Sequence, residues 1–210
     1  MAVKTFNIGA YATGWADIEN GFTLNVYLYP DGTYRDTKSE WLTSLGSDDH
    51  YVIVLVQTGV VGYSVGGMTR CQGDGSTNTN YYFYITTAGT YLRRSVGGNE
   101  SAVTSDTNTT YSVDTDYYLG MDITGDDYNV NTGTSDPPAN QILTGTDSYG
   151  TTPDAGSYGG VFARTSGGTA TGCRIYAGKG DIGTIPTGGA AVAPTSVLYG
   201  PLVGPMGGPI

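Results

Sequence analysis

The sequence predicts an all-β protein built as an antiparallel β-sandwich, and three observations lead to this fold class. Short strand-like segments are separated by turn signals at roughly the 8–12-residue spacing that is typical of sandwiches and barrels. The chain of 210 residues contains 34 Gly and 18 Tyr, and only 13% of its residues are charged. Helical periodicity is nearly absent, since only Ser39 to Leu45 resembles a short helical turn, with Ser39 as its cap.

The predicted strands follow in chain order. Phe22 to Tyr29 alternates with period two and ends at the turn Pro30-Asp31-Gly32. Tyr51 to Val56 is a continuous apolar, β-branched run, as expected for a central strand. Gly59 to Arg70 is the next candidate, with Gly62 and Gly66 as candidate points of a bulge or close approach. The remaining candidates are Tyr81 to Thr86, Tyr91 to Val96, Tyr117 to Thr124, Tyr128 to Asn131, Ser157 to Arg164 and Thr171 to Gly178.

The end of the chain differs from the rest, because no charged residue follows Asp181 and five of the nine prolines lie there. Proline at this density joins neither a sheet nor a helix. We therefore predict a β-domain over residues 1–183, with 1–20 as a candidate N-terminal arm, and an extended C-terminal arm over 184–210. Because apolar side chains are costly to leave in water, the arm is predicted to lie on a neighbouring subunit or another protein; a solvated tail is the alternative. The interface residues of the arm would be Val197, Leu198, Tyr199, Leu202, Val203, Met206 and Ile210.

Charge and the first residues exclude several function classes. The formal net charge is −10, and the nine basic residues are scattered, so neither nucleic acid nor an anionic membrane surface is expected as a partner. The start of the chain has no apolar segment of a secretory signal, so we expect a protein made in a cytoplasm. Cys71 and Cys173 are then expected to be reduced and buried, with a disulfide as the alternative.

The residues for catalysis are sparse, and no enzyme activity and no cofactor are expected. His50 is the single histidine, and we interpret it as part of a solvated loop before a strand, which leaves no zinc site or serine triad. Asp114, Asp116 and Asp122 alternate, so a carboxylate pair of the glycosidase type is open on spacing alone. The segment from Asp114 to Asp116 is, however, typical of a turn that enters a strand.

Two further groups of residues are candidate binding sites. Asp126, Asp127, Asn129 and Asn131 form the densest set of oxygen ligands and are weak calcium candidates, although Asp and Asn also favour turns. Tyrosine packs well in half-buried sheets, and we expect most tyrosines to be structural. Exposed members would offer a flat contact surface for a glycan or a protein, and the candidates are Tyr81, Tyr82, Tyr84, Tyr117 and Tyr118.

The order of motifs in the middle of the chain resembles concanavalin A-like, or laminin-G-like, jelly-roll domains. The run Gly66-Gly67-Met68-Thr69-Arg70-Cys71-Gln72 precedes Tyr81-Tyr82-Phe83-Tyr84 and then Thr90-Tyr91-Leu92-Arg93-Arg94, and the resemblance continues in Tyr117 to Gly125 and Gly159 to Ala163. It implies two curved antiparallel sheets in a jelly roll. Members include carbohydrate binders, glycosidases and structural modules. The Glu-x-Asp-x-Glu strand of the glycosidases is absent here, so their activity is not implied.

A single-domain chain with a Gly/Pro-rich arm, such as this one, also resembles virion proteins of tailed bacteriophages. The resemblance implies a structural virion protein, a capsid decoration (cement) protein or a fibre subunit, that is anchored by its arm. Its partners would be the major capsid protein or another virion protein and sister subunits, for example in a trimer. The alternative is a glycan-binding module or a receptor-binding subunit of a phage, and the third hypothesis is a glycoside-active enzyme.

Overall fold

A computed structural model describes residues 3–6, 15–19, 22–24, 28–30, 36–41, 43–59, 63–72, 79–148, 153, 156–164 and 173–186. These residues contain fifteen strands and no helix, so no helix in this part of the chain is long and apolar enough to cross a membrane. The strands are β1 (Lys4–Phe6), β2 (Trp15–Glu19), β3 (Phe22–Leu24), β4 (Leu28–Pro30), β5 (Asp36–Trp41), β6 (His50–Gln57), β7 (Ser64–Cys71), β8 (Asn80–Thr86), β9 (Gly89–Val96), β10 (Asn99–Asp106), β11 (Asp116–Thr124), β12 (Asp127–Gly133), β13 (Asn140–Thr146), β14 (Tyr158–Arg164) and β15 (Arg174–Ile182).

The strands form two antiparallel sheets that pack face to face. In sheet A the order is β13-β12-β11-β6-β15-β4-β3, and β1 also pairs with β15. In sheet B the order is β10-β9-β8-β7-β14-β5-β2. Strands that are distant in the chain lie side by side, for example β6 between β11 and β15. The predicted fold class, an antiparallel β-sandwich, is therefore confirmed.

The core lies between the sheets and follows from side-chain alternation. Because successive side chains of a strand point to opposite faces, every second residue enters the core. Strand β6 contributes Val52, Val54 and Val56 from sheet A, and β8 contributes Tyr81, Phe83 and Ile85 from sheet B. Burial of this apolar surface is the main favourable term in folding. The core is completed in sheet A by Leu119, Met121, Ile123, Tyr128 and Val130, and in sheet B by Val65, Leu92, Val161 and Ala163.

Two predicted elements differ from the structure. The alternation in Phe22 to Tyr29 predicts one strand, but Phe22–Leu24 and Leu28–Pro30 pair with each other in antiparallel fashion. An alternating pattern does not reveal the direction of the chain, and Asn25 between them is a residue type that favours turns. The helical turn from Ser39 is also wrong, because Ser39 lies in β5 and pairs with Val161 of β14. Pairing in the sheet overrides the weak local preference for a cap.

Residues of both predicted arms belong to the sandwich. Within residues 1–20, β1 pairs with β15 and β2 pairs with β5. At the other end the chain continues past β15 onto the outer face of sheet A, where the Ile185 N–H donates to Asp122 Oδ2 at 3.2 Å. The Ile185 side chain packs there with Tyr51 and Ile53. The predicted interface residues of the C-terminal arm, from Val197 to Ile210, lie outside the described residues.

His50 and Arg70 join the two sheets at one end of the sandwich. The Arg70 N–H donates to His50 Nε2 at 3.3 Å, and His50 Nδ1 donates to the Ser47 carbonyl at 2.8 Å. Burial lowers the pKa of His50 to about 4, against the effect of the Ser47 hydrogen bond and together with the nearby Arg70 charge. The prediction that His50 lies in a solvated loop is therefore wrong, because the ring is fully buried as a neutral acceptor.

The Arg70 guanidinium then holds the loops at this end. It donates to Asp49 Oδ1 at 3.2 Å and to the Gly125 carbonyl at 2.6 Å. It also donates to the carbonyl oxygens of Asp48 at 3.1 Å and Pro153 at 3.2 Å. Because a guanidinium carries several donors in fixed directions, one side chain fixes three separate chain segments.

Candidate ligand-binding face

The outer face of sheet B carries a layer of aromatic rings. In β8 the inward residues enter the core, so Tyr82 and Tyr84 point to the outer face. The register pairs Tyr84 with Tyr91 of β9, and it pairs both Tyr84 and Phe162 with Gly66 of β7. These strands therefore bring four rings to one surface.

The rings contact one another closely, and beneath them the backbones of β7 and β8 approach closely at Gly66. The ring centroids of Tyr84 and Tyr91 are 5.2 Å apart with an interplanar angle of 14°, and Phe162 lies 4.8 Å from Tyr82 and 5.1 Å from Tyr84. A Cβ atom on Gly66 would lie 2.6 Å from the Tyr84 Cα and would overlap the Phe83 carbonyl oxygen. The prediction of a close approach is therefore confirmed at Gly66, whereas Gly62 lies outside the described residues.

Charged side chains from four strands meet over these rings. Lys38 of β5 places its Nζ atom 4.6 Å from the centroid of the Tyr82 ring and 2.5 Å from Glu100 Oε1. The other carboxylate oxygen of Glu100 accepts from Arg164 Nη2 at 3.2 Å. Arg93 of β9 is paired in register with Tyr82 and so lies on the same face. We call this set the aromatic face; its members are Lys38, Tyr82, Tyr84, Tyr91, Arg93, Glu100, Phe162 and Arg164.

The electrostatics of the aromatic face couple the rings to the charges. Burial raises the pKa of Glu100, but Lys38, then the nearby Tyr82 hydroxyl and then Arg164 together lower it by more, so the net pKa is lowered and the carboxylate stays ionised at neutral pH. Burial, and next the nearby Glu100, raise the pKa of Tyr82. The Tyr82 hydroxyl does not form a hydrogen bond of normal geometry with this carboxylate.

The aromatic face has a buried floor and a partly exposed rim. Tyr82 and Phe162 are 0% exposed, whereas the side chains of Glu100 and Arg164 are 21% and 20% exposed. Tyr91 and Arg93 are also partly exposed. A ligand would therefore meet one aromatic ring, two guanidinium groups and one carboxylate.

The five tyrosines that were predicted as contacts have different positions. Tyr81 points into the core, where its hydroxyl donates to Asp147 Oδ2 at 3.0 Å. Tyr82 and Tyr84 are buried in the floor of the aromatic face, so neither offers an exposed platform. Tyr117 packs against the core, and Tyr118 is partly buried on the outer face of sheet A. The structural interpretation therefore applies to Tyr81, Tyr82 and Tyr84, whereas a contact role for the partly exposed Tyr117 and Tyr118 stays a prediction.

The aspartates with the spacing of a glycosidase pair are not brought together. Asp116 and Asp122 do share the outer face of sheet A, as the alternation predicts, but they are six residues apart in β11. At about 3.3 Å per residue this separation is about 20 Å, which exceeds the roughly 5–9.5 Å between the carboxylates of glycosidases. Asp114 lies in a turn with φ of 55°.

The calcium candidates do not converge on one point. Asp127, Asn129 and Asn131 alternate along β12, so they follow one face over about 13 Å, whereas calcium ligands lie within about 2.6 Å of the ion. Asn129 instead donates to Asp122 Oδ1 at 2.9 Å and accepts from Gln141 and Thr144 at 2.8 Å each. Asp126 lies in the preceding turn. Across the described residues, no group of three or more His, Cys, Asp or Glu side chains is placed to hold a metal ion.

Both cysteines are free and buried, as predicted. Cys71 belongs to the apolar cluster on the outer face of sheet B, whereas Cys173 belongs to the core between the sheets. Burial raises the pKa of Cys173 to about 11, although a hydrogen bond with the Gly59 backbone lowers it. Both thiols are therefore unreactive at neutral pH.

Sequence reasoning missed most of the aromatic face. Alternation in Thr90-Tyr91-Leu92-Arg93-Arg94 places Tyr91 and Arg93 on one face, so this part was accessible to pattern analysis. Lys38, Glu100 and Phe162 come from three other strands. Their meeting depends on the order of strands in sheet B, which no local pattern reveals.

Comparison with known proteins supports the fold. No family model matches the chain, and no curated protein matches it. The carbohydrate binding module CBM66 from Bacillus subtilis superposes with a TM-score of 0.54 at 16% identity, covering 81% of this chain and 93% of that one. The exoplasmic/lumenal domain of VIP36 superposes with a TM-score of 0.58 at 13% identity in its Ca2+/Man3GlcNAc-bound form, covering 90% and 93%.

The Ca2+-bound form of the VIP36 domain gives a TM-score of 0.53 at 15% identity and covers 82% and 85% of the two chains. Identities this low establish the shared fold alone. The chain thus has the architecture of the lectin-like jelly-roll β-sandwiches, as the resemblance of its motifs implied.

Proposed function

We propose that this protein is a carbohydrate-binding module whose ligand contacts the aromatic face. One observation carries the proposal: the partly exposed Tyr91 lies on the same face as Arg93, Arg164 and Glu100. Two of the structural neighbours support it, since one is a carbohydrate binding module and another was solved with Man3GlcNAc bound.

The chemistry of the rim suits a sugar. A tyrosine ring offers an apolar surface for the C–H face of a pyranose or furanose ring, and its stack on Tyr84 keeps it in one orientation. Guanidinium and carboxylate groups donate to and accept from hydroxyl groups. A site of this kind needs little rearrangement to bind, because the buried floor already fixes the rim.

A glycan array followed by calorimetry tests the proposal. The intact protein is expected to bind at least one sugar class saturably, and Tyr91→Ala is expected to weaken this binding by about tenfold or more, as for a central aromatic contact. Tyr118→Ala is the matched control, since it removes a partly buried tyrosine from the outer face of the opposite sheet. The absence of binding to any glycan, or equal losses in the two variants, contradicts the proposal.

The more specific prediction of a capsid decoration protein stays a prediction. It depends on the apolar residues from Val197 to Ile210, and its expected partners are the major capsid protein and sister subunits in a virion. Its test is a chain that ends at Pro186, which retains every described strand. Unchanged attachment of this shortened chain to particles contradicts an anchoring role of the arm.

We also propose that the protein has no enzyme activity. An assay for hydrolysis of a panel of polysaccharides tests this proposal.

A further inference from the structure

The ion pair between Lys38 and Glu100 shows how strongly sheet B is curved. Glu100 lies in β10 at one edge of the sheet, and Lys38 lies in β5, five strand positions away. In a flat sheet these two strands would be about 24 Å apart, at about 4.8 Å per position. The Lys38 Nζ atom is nevertheless 2.5 Å from Glu100 Oε1, although the two side chains together extend only about 10 Å from their Cα atoms. Sheet B therefore curls around its outer face.

The aromatic rings lie at the bottom of the concave surface that results, which we call the furrow. Tyr82 and Phe162 belong to β8 and β14, with β7 between them, yet their ring centroids are only 4.8 Å apart. Tyr91, Tyr84 and Tyr82 form a row in which neighbouring centroids are 5.2 and 6.1 Å apart, with interplanar angles of 14° and 13°. Of these three nearly parallel rings, only Tyr91 is partly exposed.

Glu100 spans the furrow above Tyr82. Its Oε1 atom pairs with Lys38, whose Nζ atom lies 4.6 Å from the centroid of the Tyr82 ring. Its Oε2 atom accepts from Arg164 Nη2 at 3.2 Å. One carboxylate thus connects β10 with β5 and β14 across the rings. The Lys38 side chain is 0% exposed and the Glu100 side chain is 21% exposed, so Glu100 is the outer part of this bridge.

Two other acidic residues of this face lie beside the cations and not across the furrow. The strand registers place Asp36 opposite Arg164 and Glu19 opposite Lys38. Asp36 belongs to β5 and Glu19 to the next strand, β2, so both lie on the Lys38 side of the furrow. The two cations therefore keep acidic residues in register when Glu100 is replaced, which lowers the cost of breaking the bridge.

We infer that Glu100 is a specificity-determining residue that closes the furrow and limits the proposed sugar contact to one ring, at Tyr91. A second sugar ring along the row would have to occupy the space above Tyr82 that the bridge now spans. Loss of the bridge uncovers the Tyr82 ring, which is structural while the furrow is closed, and the Lys38 ammonium group. These groups offer a second stacking surface and a donor to sugar hydroxyls. The choice of ligand rests on the proposed carbohydrate-binding function, whereas the closure does not.

The reactivity of lysine amines tests the closure without a ligand. Lys38 and Lys179 each have a carboxylate oxygen 2.5 Å from Nζ, but Lys179 is 26% exposed and Lys38 is 0% exposed. Reductive methylation followed by mass spectrometry is expected to modify Lys179 and to leave Lys38 unmodified in the wild-type protein. In Glu100→Gln the modification of Lys38 should become about tenfold faster or more, the effect of losing one hydrogen bond between charged groups.

Matched variants locate the effect. Asp136→Asn removes the carboxylate that pairs with Lys179 on the opposite sheet and should leave Lys38 unmodified. Alkylation of Cys173, which is buried in the core, detects a variant that has unfolded. Glu100→Asp shortens the side chain so that it cannot reach both cations, and Lys38 should gain reactivity there too. A Lys38 that stays protected in the folded Glu100 variants, or that reacts as fast as Lys179 in the wild-type protein, overturns the inference.

A glycan array tests the limit to one ring. It carries glucose, galactose, mannose and fructose, each as the single residue and as the di- and trisaccharide. For a sugar that the wild-type protein binds, the trisaccharide should bind about as tightly as the single residue, whereas in Glu100→Gln it should bind about tenfold more tightly, the gain from one added aromatic contact. The same dependence on chain length in both proteins overturns the limit and leaves a carbohydrate-binding module. If this array and a broad glycan array are both empty, the proposed function is overturned, and the lysine measurement still decides whether Glu100 closes the furrow.

Discussion

Side chains alternate between the two faces in both sheets, but the outer faces of the two sheets carry different types of residue. On sheet B the outward residues are aromatic and charged, and they form a layer whose floor is fully buried. On sheet A the outward residues of β12 and β13 are polar and hydrogen-bond to one another. Sheet A has a small apolar centre where Ile185 packs with Tyr51 and Ile53. Alternation fixes which residues face outward, whereas composition decides whether that face can bind a ligand.

A glycine makes room at the centre of each face, and the two glycines differ in what they contact. On Gly66 a Cβ atom would overlap backbone atoms of β8, which cannot move without opening the sheet. On Gly120 it would lie 2.8 Å from the Ile185 Cδ1 atom, 3.1 Å from the Ile53 Cγ1 atom and 3.2 Å from the Pro138 Cγ atom, all of which belong to side chains. Packing on the aromatic face is therefore the less tolerant of the two.

Gly66→Ala is expected to destabilise the protein more than any other single substitution on either face. The free energy of unfolding should fall by more than about 4 kcal/mol, since backbone overlap has no rotamer that relieves it. Gly120→Ala should lower it by only about 1 kcal/mol, because the end of Ile185 can shift. Urea denaturation measures both values, and similar losses would show that the two faces are equally tolerant.

Deletion of one apolar side chain on each face sharpens the comparison. Phe162→Ala removes a ring enclosed by Tyr82 and Tyr84 and should cost about 4 kcal/mol. Ile185→Ala should cost about 2 kcal/mol, because Ile185 packs in a smaller apolar cluster on the outer face of sheet A. Ligand binding should change in Phe162→Ala and not in Ile185→Ala. Loss of binding in the Ile185 variant would place the site on sheet A.

Acid should weaken the contact between the sheets and so affect both faces together. The pKa of His50 is about 4 in the folded protein and near the ordinary histidine value of 6.5 when unfolded, so the unfolded chain takes up the proton first. Stability contributed by neutral His50 is therefore complete above pH 6.5 and is lost as the pH falls toward 4, by up to about 3 kcal/mol. Thermal or urea unfolding at several pH values measures this loss.

His50→Gln is the control for the pH effect. The glutamine amide offers one acceptor to the Arg70 N–H and one donor to the Ser47 carbonyl, but it does not titrate. Its unfolding free energy should change much less between pH 6.5 and pH 5, where few carboxylates titrate. A pH dependence as steep as that of the wild-type protein would assign the effect to other groups.

Most central strands could be predicted from the sequence, whereas strands at the edges of the sheets were missed for a physical reason. Tyr51 to Val56 and Tyr81 to Thr86 are apolar because both lie inside a sheet, and both were found close to their observed bounds. The edge strands β10 and β13 are exposed and polar, so they carry no periodic apolar signal. The segment Asn99–Asp106 is one of them, and it supplies Glu100 to the aromatic face.

The candidate site was harder to predict than the fold because it is assembled from distant segments. Lys38 and Glu100 are 62 residues apart in the chain, yet they form an ion pair across sheet B. His50 illustrates the converse error, since its position just before the strand from Tyr51 suggested a solvated loop. Its buried position depends on Arg70, which lies twenty residues away on the other sheet.

The single histidine gives this protein an internal spectroscopic reporter. Since the chain has only one imidazole, its carbon-bound protons are identified in an NMR spectrum without residue assignment. The ring lies where sheet A meets sheet B, so its titration midpoint reports whether the sheets are docked. A midpoint near that of a free histidine in any variant or ligand complex would reveal that this end of the sandwich has opened, even when the strands themselves remain intact.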